Sequence, residues 1–318
     1  MKSLSRSPHP RSLVQPLFEG PIDVVGDVHG EIDALNSLLV HLGYSADGSH
    51  SDRRRLVFVG DLTDRGPDSP AVVRTVKRLF DLGVAQCVLG NHDLNILLGD
   101  KKHDNHWFFG EEWSLDKSNV PTPAVLADDQ IREEVLSFLR TLPLVLEGES
   151  MRVVHACWDG AMVDVARRAT NVLELYRQFR DQISVELICH GDMDRTNRAL
   201  AYQNRNPVKV LTSGLERKAS QPFVSSGKLR NEERVPWWDN YQDQAYCVFG
   251  HYGMVGAEAL PGRAICVDFG VAKRWEERKQ LGFNGRYKAK LGAIRLDAGV
   301  VVFDDGSEER PKSPWKFE

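Results

Sequence analysis

The chain has no apolar run that approaches the roughly 18 residues needed to cross a bilayer, which argues against a membrane-spanning helix. Cysteine is scarce. Cys87, Cys157, Cys189, Cys247 and Cys266 are odd in number, show no CxxC spacing and mostly sit in apolar runs. That pattern argues against a disulfide framework and predicts reduced core residues of a cytoplasmic protein. Positive charge is in deficit, with a net charge of -4 and no basic stripe. Extended nucleic acid is therefore not an expected partner, because backbone binding needs clustered Lys and Arg. The opening MKSLSRSPHPRS lacks the apolar segment of a secretory signal. There is no internal repeat and no low-complexity tract.

What is present is an ordinary globular composition, 42% apolar and 27% charged over 318 residues. A chain of this length buries about 75% of its unfolded surface and can support a full core. Apolar, β-rich runs recur at 22–25, 56–59, 84–89 and 151–155, with amphipathic stretches between the first three. Leu35, Leu38, Leu39 and Leu42 share one helical face; Val72, Val73, Val76, Leu79 and Phe80 share another. Alternation of this kind predicts β-α-β units and a largely parallel sheet covered by helices, an α/β class. Strands are expected to resume at 246–249 and 264–267, with a closing hairpin near Asp297. The predicted organisation is a flexible arm over 1–19, a single domain over 20–310, and a tail over 311–318. Polar segments at about 100–140 and 161–244 read as helical and loop insertions over the sheet, near solvent or a substrate.

Ligand sites in such sheets form beyond the carboxyl ends of the strands, and the polar motifs fall there. GDVHG follows the first strand, bringing Asp27 and His29; GDLTDRG follows the second, bringing Asp61, Asp64 and Arg65; GNHD follows the third, bringing Asn91 and His92. His155 ends the fourth run and His251 follows VFG. An acid and an imidazole two apart between glycines can aim two ligands at one point. The plainer alternative for Asp27 is a cap on the helix that follows, and for Asp64 and Arg65 a local salt bridge. A charged site of this type can hold metal cations and phosphorylated substrates even in an acidic protein.

The ordered set GDVHG, GDLTDRG, GNHD, VHA and FGH resembles the calcineurin-like metallophosphoesterase superfamily, in its bacterial-type branch of phosphoprotein phosphatases and symmetrical dinucleoside tetraphosphatases. The resemblance implies a four-layer α/β/β/α sandwich holding two metal ions between its sheets. By it, Asp27 and His29 bind the first ion, Asp61 bridges, and Asn91, His155 and His251 bind the second. Manganese suits such ligands, as do iron, zinc, cobalt and nickel, in divalent or mixed-valence pairs. The implied reaction is direct hydrolysis by a hydroxide bridging the metals. His92 would donate a proton to the leaving oxygen, Asp64 would hold its ring, and Arg65 would fork onto phosphate oxygens. Asp268, after the strand 265–267, would brace the metal site from behind the ligands.

Two departures bear on substrate. His251 is followed by Tyr252 and Gly253 where many members continue GHxH, and TDRG beside GNHD and VHA mixes phosphoprotein-phosphatase and tetraphosphatase spellings. The expected activity is hydrolysis of phosphomonoesters, such as phosphoprotein side chains, with a dinucleoside tetraphosphatase or other nucleoside polyphosphate hydrolase as the alternative. A non-catalytic binding module is a weaker reading, since none of the six ligands is missing. A nucleobase would need an aromatic shelf, for which Trp107, Phe108, Phe109, Trp113, Trp237 and Trp238 are candidates. His103 and His106 flank Trp107 and read as substrate contacts or surface residues; His190 mimics a ligand but follows a helical insert and reads as a structural or gating residue.

Overall fold

Val24 and Val25 are neighbours in one strand yet belong to two different cores. Successive side chains of a strand point to opposite faces, so the strand Ile22–Val25 sends Val24 toward a second sheet and Val25 toward helices. The computed structural model describes residues 11–102, 104–110, 124–189, 194–225, 228–254, 262–280 and 282–310. In its six-stranded sheet, Ile22–Val25, Arg55–Phe58 and Ala85–Cys87 run parallel, as the β-α-β pattern predicts. Gly292–Arg295, Val300–Phe303 and Glu308–Glu309 extend that sheet antiparallel on the other side of Ile22–Val25. A five-stranded sheet orders Val14–Pro16, Val145–Glu147, Met151–Val154, Tyr246–Phe249 and Ala264–Cys266.

The two sheets pack face to face through Val24, Val57, Ile294 and Val301 from one and Leu146, Val153, Val248 and Ile265 from the other. Helices cover the outer faces. Ile32–Leu42 buries Leu35, Leu38 and Leu42, and Ser69–Asp81 buries Val72, Val73, Val76 and Leu79. On the far side Gly160–Arg167 and Pro207–Ser213 bury Val163, Ala166, Val210 and Leu211. The result is the four-layer α/β/β/α sandwich, and it brings the carboxyl ends of strands from both sheets together.

The structure departs from the sequence expectations in three places. Residues 14–16 are not part of a flexible arm: they pair in parallel with Val145–Glu147, because Leu13, Val14 and Leu17 are apolar enough to bury at a sheet edge. Asp129–Leu139 is not a polar insertion; its Val135, Phe138 and Leu139 share one face and enter the main core. The loop-like stretches after residue 213 pair as a hairpin, Glu216–Ser225 with Lys228–Arg234. Cross-strand opposite charges favour it, as at Arg217 and Glu233, whose Nε and Oε1 lie 2.7 Å apart.

Asp23 is the one acid inside the strand Ile22–Val25, and it is fully buried. Its carboxylate accepts from Arg54 Nε at 2.9 Å, Arg295 Nε at 3.1 Å and Tyr44 OH at 2.9 Å. Removing it leaves two guanidiniums beside apolar strand residues, although Arg54 keeps Asp297 at 2.7 Å. Asp23→Ala should therefore cost about 3 kcal/mol, the low end for breaking a buried ion pair. Urea unfolding reads this directly, and an unchanged midpoint would show that the network does not secure the strand.

Candidate metal centre

Backbone strain marks the site before any side chain is considered. Among the described residues, seven non-glycine residues have positive φ, and five of them are His29, Asp61, Asp64, Arg65 and His251. Such conformations cost on the order of 1–3 kcal/mol each and persist only where the surroundings impose them. Glycines permit the close approach: a Cβ on Gly90 would lie 2.1 Å from the Asp61 nitrogen, and one on Gly250 would lie 2.1 Å from Asp27 Oδ1. The motif loops are thus pressed against one another.

All six residues expected to bind metal converge. Asp61 lies in the middle, its Oδ2 3.6 Å from His29 Nε2 and 3.4 Å from His155 Nε2. Asp27 Oδ2 is 3.8 Å from His29 Nε2. The Asn91 amide lies 2.7 Å from His251 Nδ1 and 3.1 Å from His155 Nε2. Asp27 does not cap the following helix, whose N-terminal flanking residue is Glu31; it accepts instead from the His251 backbone N–H at 3.1 Å. His29 Nδ1 donates to the Thr63 carbonyl at 3.1 Å and His155 Nδ1 to the Val59 carbonyl at 2.7 Å. Each bond orients its ring with Nε2 toward Asp61, so that the neutral imidazole would present its lone pair there.

The electrostatics of so many buried groups are lopsided. Burial, then the charge of Asp268, pushes Asp27 well above the usual carboxylate range. Burial and the Arg65 charge push the His29 imidazole down to about 4. Burial also works to lower His155, but the Asp61 carboxylate outweighs it and holds the imidazole at about 10. Burial, then the Arg234 charge, drives His251 well below its ordinary value.

These residues fit divalent cations. His29, Asp61 and His92 form one group, and Asp61, His155 and His251 another, in which one ligand atom from each residue lies within 4.8 Å of the rest. The Asn91 oxygen faces the lone-pair atoms of two imidazoles. A cation among them resolves that, as does turning the amide so that its NH2 donates to the same nitrogens. Carboxylate, imidazole and amide donors without thiolate suit hard to borderline metals.

Around this cluster, His92 Nδ1 lies 2.7 Å from Asp64 Oδ2, and Asp64 Oδ1 accepts from Trp107 Nε1 at 2.8 Å. Burial pushes Asp64 well above the usual carboxylate range, with the Trp107 hydrogen bond opposing. Asp64 and Arg65 are not paired with each other; among the described residues the Arg65 guanidinium makes no hydrogen bond or ion pair. Asp268 Oδ2 accepts from Gly253 N–H at 2.6 Å and its Oδ1 from Gly270 N–H at 2.8 Å, tying down the loop of His251.

Sequence reasoning missed two residues here. Asp93 accepts from the Leu62 N–H at 3.1 Å and from Thr63 Oγ1 at 3.0 Å, so it clamps the GDLTDRG loop onto the helix Asn91–Leu98. Its signal was the acid ending GNHD. Trp107 is buried against Asp64 rather than forming a shelf, and nothing local in the sequence announces that bond. Phe108 and Trp237 are likewise core, and Trp238 stacks on Phe249. His106 is buried, not a surface residue, and among the described residues neither of its ring nitrogens has a hydrogen-bond partner. His103, Trp113 and His190 lie outside the described residues.

A model of the calcineurin-like phosphoesterase family matches residues 20–253, and the chain belongs to that family. An asymmetrical bis(5'-nucleosyl)-tetraphosphatase PrpE of Oceanobacillus iheyensis is 32% identical over 166 residues, 49% of this chain and 63% of that protein, less than two thirds of its length. A symmetrical bis(5'-nucleosyl)-tetraphosphatase of Chromohalobacter salexigens is 35% identical over 268 residues, 77% of this chain and 89% of that protein. Among solved structures, a cold-active protein-tyrosine phosphatase of a psychrophilic Shewanella shares the fold at 14% identity, with a TM-score of 0.52 over 93% of this chain and 81% of that one.

Proposed function

We propose that the protein is a metal-dependent hydrolase of dinucleoside polyphosphates, cleaving a phosphoanhydride rather than a phosphomonoester. The carrying observation is the complete donor set around Asp61 in a chain similar over most of its length to a named tetraphosphatase. This exchanges the preference read from the sequence, phosphoprotein-type monoesters, for its alternative.

The chemistry that two such ions supply when bound is activation of a water nucleophile and neutralisation of phosphoryl charge. The six ligands Asp27, His29, Asp61, Asn91, His155 and His251 would hold them. Arg65, with its fork unengaged, orients the phosphoryl group through two non-bridging oxygens. As water adds to phosphorus and the P–O bond breaks, His92 gives a proton to the departing phosphate oxygen. Asp64 holds the ring in place, and Trp107 in turn holds Asp64.

The test is a substrate panel in Mn, Ni, Co and Mg after chelation: diadenosine tetraphosphate, p-nitrophenyl phosphate and a phosphopeptide. The dinucleotide should show the highest kcat/KM, and chromatography should assign the cleavage, two ADP for symmetrical attack or ATP and AMP for asymmetrical. Preference for the phosphopeptide would return the reading to a phosphoprotein phosphatase. Arg65→Ala should retain its metals yet weaken phosphate capture by about 1.5–3 kcal/mol, the value of a charged hydrogen-bonding partner. KM should rise and inhibition by inorganic phosphate should weaken in parallel; if neither moves, Arg65 does not touch the phosphoryl group.

A further inference from the structure

The segment between His155 and His251 forms an open cavity of about 480 Å³, within the ~300–1,000 Å³ typical of small-molecule sites. Its walls are the helices Val172–Cys189, Arg195–Arg205 and Pro207–Ser213 and the hairpin Glu216–Ser225/Lys228–Arg234. Tyr176, Arg180, Tyr202, Lys209, Glu216 and Arg230 line it. With Glu232 the lining holds two phenol rings, three cations and two carboxylates, groups that match a base, a phosphate chain and ribose hydroxyls.

Two wall elements of this cavity are tied to the chain segments that carry His155 and His251. Ala156, next to His155, donates its N–H to the Leu211 carbonyl at 3.0 Å, two residues along the helix from Lys209. Gly214, at the end of that helix, is pressed so closely on Tyr252 that a Cβ there would lie 2.2 Å from the tyrosine oxygen. Glu216 pairs directly across the hairpin with Arg234, so the two share a sheet face. Arg234 Nη1 donates to the His251 carbonyl at 3.1 Å. The cavity is thus joined to both histidines by short, rigid contacts.

Lys209 is half-buried in the cavity wall. Its Nζ reaches the neutral Ser213 Oγ at 3.1 Å, and among the described residues it has no carboxylate within ion-pair distance. Burial, then the neighbouring charge of Lys102, pushes its ammonium down to about 8. Glu216 and Asp100 offset the charge of this half-buried cation only from beyond ion-pair distance, and a bound anion in direct contact would satisfy it more fully.

We propose that this cavity takes the nucleoside half of a nucleotide whose phosphate chain extends out of the metal centre, with Lys209 on that chain and Tyr176 and Tyr202 beside the base. The inference rests on the dinucleotide reading above and names the part of the molecule that selects it. A phosphomonoester such as p-nitrophenyl phosphate ends before the cavity and cannot use it.

Two measurements test this separately from that reading. Calorimetric titration with ADP in EDTA should show binding to the parent that weakens about tenfold or more in Lys209→Met, the effect of losing a charged hydrogen-bonding partner. Arg230→Glu, at an exposed wall position, should weaken it too and serves if the Lys209 variant misfolds. In steady-state assays both variants should lower the ratio of kcat/KM for diadenosine tetraphosphate to that for p-nitrophenyl phosphate. Absence of ADP binding, or binding and ratios unmoved in both variants, overturns the cavity assignment even if the dinucleotide is cleaved well. If ADP binds and both variants weaken it while the parent cleaves no dinucleotide, the cavity stands and the proposed substrate falls.

Discussion

Asp61→Asn should leave a folded protein that has lost one metal ion, or holds it loosely, and turns over about 100-fold or more slowly, since even partners behind the ligands of a metal site are worth 10- to 100-fold in affinity or activity. The expectation follows from where the carboxylate sits. Its Oδ2 lies 3.6 Å from His29 Nε2 and 3.4 Å from His155 Nε2, between the two halves of the cluster. An amide has one acceptor oxygen and no charge, so it cannot bridge two cations. The rest of the residue's work survives the exchange. Asp61 Oδ1 accepts from the His92 N–H at 2.8 Å, which an amide oxygen can also do. Its φ of 49° lies in the left-handed region that Asn tolerates as well as Asp. Elemental analysis of the purified variant, with circular dichroism as the control on folding, separates these contributions. Two tightly held metals and normal hydrolysis would remove Asp61 from the bridging position and the dimetal reading with it.

The convergence of the candidate ligands was more legible in the sequence than the fold around them, for a physical reason. Asp27, His29, Asp61, Asn91, His155 and His251 lie in short motifs at strand ends, most of them beside a glycine, so their candidacy could be read from local sequence and the family resemblance. The parallel strands and two covering helices were also readable, because Leu35, Leu38 and Leu42 repeat at helical spacing and the runs between them are β-rich. Val14–Pro16 gave no such signal: three residues carry no period, and their place at a sheet edge depends on Val145–Glu147, more than a hundred residues away. The hairpin from Glu216 was hidden for a related reason. Its strands are charged rather than alternating with apolar residues, and pairing shows only when Arg217 meets Glu233. Trp107 was the hardest case, since its indole looks like any core aromatic until the fold brings it to Asp64.

His92→Asn tests the remaining ambiguity of the centre, whether that histidine moves a proton or binds a metal. The geometry allows either, because a ligand atom of His92 lies within 4.8 Å of ligand atoms from His29 and Asp61. The Asp64 contact at 2.7 Å favours the proton, since it occupies Nδ1 and holds the ring at a fixed angle, as a general acid requires. On that reading His92→Asn keeps both metals and loses roughly 100- to 10,000-fold in turnover where the leaving group needs a proton. Alkyl phosphates should suffer most, because an alkoxide leaves poorly without one. p-Nitrophenyl phosphate should suffer far less, since its phenolate is already a stable anion. Asp64→Asn should follow the same order more mildly: the ring remains, but its charged partner becomes an amide, and Trp107 Nε1 still has an oxygen to donate to. Metal content is measured beside the rates for every variant. Loss of an ion from His92→Asn, or equal slowing of both substrates, would make His92 a ligand or a structural residue, and the proton would then have to reach the leaving oxygen from water or from another side chain.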